Sequence, residues 1–146
     1  MFDGRDHTNQ VNTWMAQAAN GLSSKQLLQL FEQAVGALWD RAYVTLGGIT
    51  LTAIMDRVLY SAGEKFPPFE SLKVEPTGID YRKLHERREV LNERELAEGI
   101  RFVIAEFIVV IGSLTAEILT PALHAQLSKV SLKGEGLGRT LGKGQS

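Results

Sequence analysis

The chain has no cysteine among its 146 residues. Disulfide frameworks, thiolate metal sites and cysteine nucleophiles are therefore excluded. The chain also lacks a basic excess, because 16 Lys and Arg stand against 17 Asp and Glu. Proteins that bind nucleic acid neutralise phosphates with such an excess, so the balance predicts no nucleic-acid partner. The polar start of the chain does not read as a signal peptide, and these features together predict a cytoplasmic protein.

Proline is scarce, and three of the four prolines lie in residues 66–78. The pair Pro67-Pro68 is incompatible with a helix interior, so this stretch is predicted to be a loop. Elsewhere apolar residues, which make up 44% of the chain, recur every three or four positions as helices require. The sequence predicts an all-α fold, with a bundle of four to five helices over residues 24–130. Residues 1–23, with one short helix near Trp14, and the glycine-rich residues 131–146 are predicted to be flexible ends.

Local signals place the helices of this bundle. The glycine pair Gly47-Gly48 between two apolar helical stretches predicts an αα-hairpin. Asn92 followed by Glu95 at the third helical position is the signature of a helix start. The sequence therefore predicts a long central helix in the C-terminal half of the chain, kinked near Pro121.

Residues 102–119 are almost entirely apolar and contain only two charged side chains, Glu106 and Glu117. Near the centre of a bilayer each carboxylate would cost about 2.5–3.5 kcal/mol. The stretch is therefore predicted to be the core helix of a bundle, and membrane association remains an alternative.

No motif indicates catalysis. A carboxylate-bridged metal site in a helical bundle uses Glu-x-x-His, and none of His7, His85 and His124 has a Glu three residues before it. No Gly-x-Ser-x-Gly nucleophile elbow is present either. We therefore predict a protein that is not an enzyme and that has no metal and no cofactor.

Three polar side chains recur along one predicted face of the long helix, and they define a candidate polar seam: Glu106, Ser113 and Glu117. The carboxylates of Glu106 and Glu117 would be about 16 Å apart by helical rise, too far to act as one acid–base pair. The seam is interpreted either as two rim carboxylates paired with bases, or as a polar line satisfied across a dimer interface or around a ligand.

The helices carry more apolar surface than one chain of this size is expected to bury. The sequence therefore predicts a small regulatory module that acts through protein–protein contacts with a partner of unknown identity, as a homodimer or larger oligomer. A bundle that binds a small apolar ligand in its core is the alternative, and membrane association is the third interpretation. The candidate interface residues are Trp39, Tyr43, Phe107, Val110, Ile111 and Leu114.

Overall fold

The computed structural model describes residues 4–75, 78–87 and 91–132, and nearly all of the predicted glycine-rich tail lies outside them. The described residues form an all-α bundle with one small antiparallel β-hairpin, which confirms the predicted fold class. The elements in chain order are α1 (Gly4–Ala18), α2 (Ser24–Lys65), a 3-10 turn (Pro67–Ser71), β1 (Lys73–Glu75), β2 (Gly78–Asp80), α3 (Arg82–Glu86), α4 (Glu93–Leu114) and α5 (Thr120–Ser128).

Helix α2 is folded back on itself at Gly47. This glycine has φ +80° and ψ 167°, a backbone conformation that residues with a Cβ atom rarely adopt. A straight helix would separate Phe31 from Lys65 by about 50 Å. Instead, the rings of Phe31 and Phe69 lie 5.8 Å apart. The two halves of α2 are therefore antiparallel, as the paired glycines predict, and the bend at Gly47 forms the hairpin tip.

Helix α4 runs beside the first half of α2 and in the same direction. Near its start, Gly99 lies against the ring of Phe69, which also contacts Phe31. Eight residues later, Phe107 stacks on Trp39 with ring centroids 6.4 Å apart. Since α2 also advances eight residues from Phe31 to Trp39, both helices climb toward the hairpin tip at the same rate. The C-terminal end of α4 consequently lies at the level of that tip.

The sequence predicts the start of α4 correctly, but it does not predict where this helix ends. At the start, the Asn92 side chain accepts a hydrogen bond from the Glu95 backbone N–H at 3.0 Å, which is the predicted cap. At the other end the helix stops at Leu114, well before Pro121, and Pro121 lies in the first turn of the separate helix α5. The break therefore lies in residues 115–119, and the described chain is not one helix kinked near Pro121.

Helix α1 is longer and more firmly packed than the sequence indicates. It covers residues predicted to be mostly flexible, and it buries Val11, Trp14, Met15 and Ala18. The Trp14 indole Nε1 donates a hydrogen bond to the Val130 carbonyl at 3.0 Å. This contact joins residues 116 positions apart, so no local pattern reveals it.

The predicted loop after α2 also contains regular structure. Phe69, in the 3-10 turn, is fully buried. The hairpin that follows pairs Val74 with Ile79. Strands of three residues are too short to give a recognisable alternation of polar and apolar side chains.

Candidate docking surface and the polar cluster beside it

Large apolar side chains are exposed together at one end of the bundle. Two of them, Val44 and Ile49, flank the hairpin tip and are 82% and 92% exposed. Ile118, just after α4, is 79% exposed. Because α4 climbs to the level of the tip, these side chains belong to the same end of the molecule. We call the following set the apolar end: Tyr43, Val44, Ile49, Leu114 and Ile118.

The surroundings of the apolar end contain no charge over long stretches of chain. Residues 42–55 and residues 107–116 include no Asp, Glu, Lys or Arg. The exposed polar side chains in these stretches include the neutral hydroxyls of Thr45, Thr50 and Ser113. An apolar centre with a polar rim is the anatomy of a protein–protein contact surface. Exposed apolar side chains that gather in one region of a surface are a feature of interaction sites.

The predicted interface residues separate into three groups in the structure: buried, half-buried and exposed. Trp39, Phe107 and Ile111 are buried in the core of the chain itself, so they present no surface to a partner. Tyr43 and Leu114 are more than half exposed and belong to the apolar end, while Val110 is half-buried against the core. The apolar end also contains three residues that the sequence interpretation did not select, Val44, Ile49 and Ile118. Their position beside the glycine pair and beyond a helix end is the signal that could have identified them.

The predicted polar seam is not formed as one helix face. Glu106 is half-buried on α4, Ser113 is exposed, and Glu117 lies beyond the end of the helix. The prediction assumed that α4 continues through residue 119, and the turn after Leu114 rotates Glu117 out of that register. Glu117 instead belongs to a different cluster of polar residues.

That polar cluster joins α1, the turn after α4, and α5 through three hydrogen bonds. The Thr120 hydroxyl donates to Glu117 Oε1 at 2.5 Å. His7 Nε2 lies 3.2 Å from the same oxygen, and His124 Nε2 lies 3.1 Å from His7 Nδ1. A carboxylate accepts only, so His7 carries its proton on Nε2 and its Nδ1 accepts a hydrogen bond from His124 Nε2–H. We call these four residues the polar cluster.

Two members of the polar cluster, His7 and Thr120, are shielded from solvent, and burial also lowers the pKa of His124. His7 is 1% exposed, and Thr120 is fully buried. Burial, followed by the proximity of His7, lowers the pKa of His124 below the ordinary value of 6.5, and Glu117 opposes this shift. The two imidazole rings are stacked, with centroids 5.4 Å apart.

The backbone of Glu117 is unusual as well. Ala116 and Glu117 have φ +52° and +65°, in the left-handed region that residues other than glycine avoid. The Glu117 N–H donates to the Gly112 carbonyl at 2.7 Å, which closes the end of α4 in a Schellman-type turn. Gly112 leaves room for the cluster, because a Cβ there would lie 2.7 Å from Glu117 Oε1.

The third histidine lies at the opposite end of the bundle. His85 pairs with Glu32, one residue along α2 from Phe31. Nearby, burial and the charge of Glu32 raise the pKa of Tyr81 above its usual range. Within residues 4–75, 78–87 and 91–132, no three His, Asp or Glu side chains are arranged to hold a metal ion.

One groove of the described surface has acidic and basic walls. The groove beside the second half of α2 has a volume of about 440 Å³, and its lining includes Asp56, Arg57, Glu64 and Lys73. Such walls do not resemble a predominantly apolar ligand pocket.

Helix α2 is also the one helix of the described chain that is long and apolar enough to cross a membrane by length and composition. The bend at Gly47 divides it, and 33% of its most apolar window is buried in the bundle.

Comparison with known proteins gives no match to a protein-family model, to a curated protein or to a solved structure.

Proposed function

We propose that this protein is a small helical interaction module that works through protein contacts, and that its contact surface is the apolar end. The proposal rests on one observation. Five of the six exposed large apolar side chains of the described residues gather at one end of the bundle. The same end lacks charged residues over residues 42–55 and 107–116.

The occupant of this surface is a second copy of the chain, in an isologous dimer. In such a dimer a patch meets itself, so any charge near its centre would face an identical charge across the two-fold axis. The five members of the apolar end carry no charge, and the carboxylate that lies between two of them, Glu117, is mostly buried and hydrogen-bonded to His7 and Thr120, so this repulsion is small. Burying a side chain as exposed as Ile49 supplies roughly 1.5–3 kcal/mol. Five such residues on each copy provide a centre, and the neutral hydroxyls of Thr45, Thr50 and Ser113 provide a rim.

The experiment that tests this proposal is size exclusion with light scattering on the wild-type protein and two matched variants. Ile49→Lys places a charge in the apolar end. Tyr60→Lys is the control, because Tyr60 is 70% exposed but lies about 20 Å along α2 from the hairpin tip. We expect a wild-type dimer at micromolar concentration, a monomeric Ile49→Lys variant and a dimeric Tyr60→Lys variant.

Two results would contradict the proposal. A monomeric wild-type protein at micromolar concentration would show that no second copy covers the apolar end. A dimer that survives Ile49→Lys and dissociates with Tyr60→Lys would place the interface elsewhere. Flotation with neutral phosphatidylcholine vesicles tests a lipid surface as the alternative occupant. If a monomeric wild-type protein binds these vesicles and the Ile49→Lys variant does not, the apolar end contacts lipid rather than a second copy.

A further inference from the structure

A type II turn joins α1 to α2 at the end of the bundle opposite the apolar end. The Leu22 N–H donates to the Ala19 carbonyl at 3.1 Å, and Gly21, at the third position of the turn, has φ +78°. Asn20 does not share this positive φ, so the turn is of type II, which favours glycine at the third position. The loop lies about 35 Å along α2 from the hairpin tip, so its chemistry does not depend on the docking proposal.

The dipeptide Asn20-Gly21 in this turn contains the two groups that form a succinimide ring. Asparagine is a thermolabile residue. Its side-chain amide carbon is attacked by the backbone nitrogen of the next residue, and glycine has no Cβ to shield that nitrogen. Both residues are exposed. Within residues 4–75, 78–87 and 91–132 the Gly21 N–H makes no hydrogen bond, so the nucleophile is accessible.

The other three asparagines of the chain lack this combination. Asn9 and Asn12 lie inside α1, where the backbone N–H of the following residue is held in the helix. Asn92 is followed by a glutamate, and its side-chain oxygen accepts a hydrogen bond from the Glu95 N–H at 3.0 Å. These three positions are internal controls for Asn20.

We propose that Asn20 is a site of spontaneous modification, at which the chain converts an asparagine into isoaspartate and loosens the connection between α1 and α2. The Gly21 nitrogen attacks Asn20 Cγ, a C–N bond forms, and ammonia leaves with the proton of the Gly21 N–H. Water then opens the succinimide at either carbonyl, which gives isoaspartate or aspartate. Neither step needs an oxidant, a reductant or a second protein. The product carries a carboxylate where the native loop has a neutral amide.

The turn itself slows this reaction. In a type II turn the residue before the glycine has ψ near +120°, which turns the Gly21 nitrogen away from the Asn20 side chain. The ring therefore closes only after the turn opens. Leu22, which follows, is buried and anchors the loop to the core. The rate of modification consequently measures how often the loop opens while the rest of the chain stays folded.

The product changes the loop, because the backbone of isoaspartate runs through the side-chain carbon and is longer than that of asparagine. The hydrogen bond between Leu22 and Ala19 then has to span a wider turn, and the anchor at Leu22 is weakened. The modified protein should therefore melt at a lower temperature than the Asn20→Asp variant, which adds the same charge without lengthening the backbone. Equal melting temperatures would overturn the structural consequence.

Peptide mapping by mass spectrometry tests the modification in the folded protein and in the same protein unfolded in urea, both kept at pH 8.5 and 37 °C. We expect isoaspartate at Asn20 and at no other asparagine of the folded protein. Unfolding should raise the rate at Asn20 about tenfold, because it removes the turn. Leu22→Ala should raise the rate in the folded protein, and Ile49→Ala, at the opposite end, should not.

Two results would overturn the proposal. One is a folded protein in which Asn20 stays intact for about a hundred times as long as the urea sample needs to convert, since local opening would then not expose the site. The other is isoaspartate at Asn9, Asn12 or Asn92 of the folded protein that appears as fast as at Asn20. Both results are read from the wild-type chain, so they remain decisive even if Leu22→Ala fails to fold.

Discussion

The two ends of the bundle differ in which side chains face solvent. At the end that carries α3 and the β-hairpin, aromatic rings close the core, and Phe31 and Phe69 are fully buried. Charged side chains cover that end, including the Arg82–Asp80 ion pair and Lys65 above the ring of Phe102. At the apolar end the pattern is reversed, since apolar side chains face solvent and charges are absent over long stretches. One end is therefore completed by the chain itself, and the other is the end that we propose meets a second copy.

The largest expected difference between the two ends is in folding stability. Phe69→Ala empties a fully buried site in the aromatic cluster, and such changes cost about 3–5 kcal/mol. Ile49→Ala at the apolar end removes a side chain that is already in water, so the monomer should lose less than about 0.5 kcal/mol. Urea denaturation at a concentration where the protein is monomeric measures both. Equal losses for the two variants would contradict the comparison.

Two glycines of the helices, Gly99 and Gly36, differ in the space around them. A Cβ at Gly99 would lie 2.5 Å from the Phe69 ring, whereas a Cβ at Gly36 would meet nothing within 4 Å. Gly99→Ala should therefore destabilise the fold by about 1–3 kcal/mol through overpacking. Gly36→Ala should stabilise it by about 0.5–1 kcal/mol, because alanine favours a helix interior. Thermal denaturation of the two variants tests the packing, and a stabilising Gly99→Ala would show that Phe69 does not occupy this site.

At the turn that follows α4 we expect a smaller effect, and there the substitution should stabilise the fold. Ala116 occupies the left-handed position of the Schellman-type turn, where glycine is usual. Ala116→Gly removes a conformational cost of about 1–2 kcal/mol, partly offset by the greater freedom of glycine in the unfolded chain. The melting temperature should therefore rise. A matched Ala105→Gly variant in the buried part of α4 should lower it, and a fall in both would contradict the assigned turn.

The smallest expected effect is the pH dependence of stability. The pKa of His124 is lowered in the folded protein, so the unfolded chain takes up this proton first as pH falls. The stabilisation is fully present above about pH 6.5 and declines as pH falls through the lower folded pKa. The melting temperature should drop between neutral and mildly acidic pH, and His124→Gln should make this drop smaller. An identical pH profile in His124→Gln would show that this histidine does not contribute.

The sequence predicts the features that depend on neighbouring residues. Hydrophobic spacing gives the helices, Gly47 gives the hairpin, and Asn92 with Glu95 gives the start of α4. It does not reveal where α4 ends, because Ala116 stands where a glycine would signal the turn. The polar cluster is invisible for another reason: its contacts join residues 110 and 117 positions apart, which only tertiary packing brings together.

The central claim is that two copies meet through their apolar ends, and a distance between the copies tests it most directly. The chain has no cysteine, so a single nitroxide label can be placed through Thr50→Cys, at the rim, or Tyr60→Cys, about 15 Å further from the tip. Pulsed electron paramagnetic resonance then measures the separation of the two labels in the dimer. We predict a distance for Tyr60→Cys about 30 Å longer than for Thr50→Cys, twice the offset along the helix. A shorter distance for Tyr60→Cys, or no distance between chains at either position, would contradict the claim.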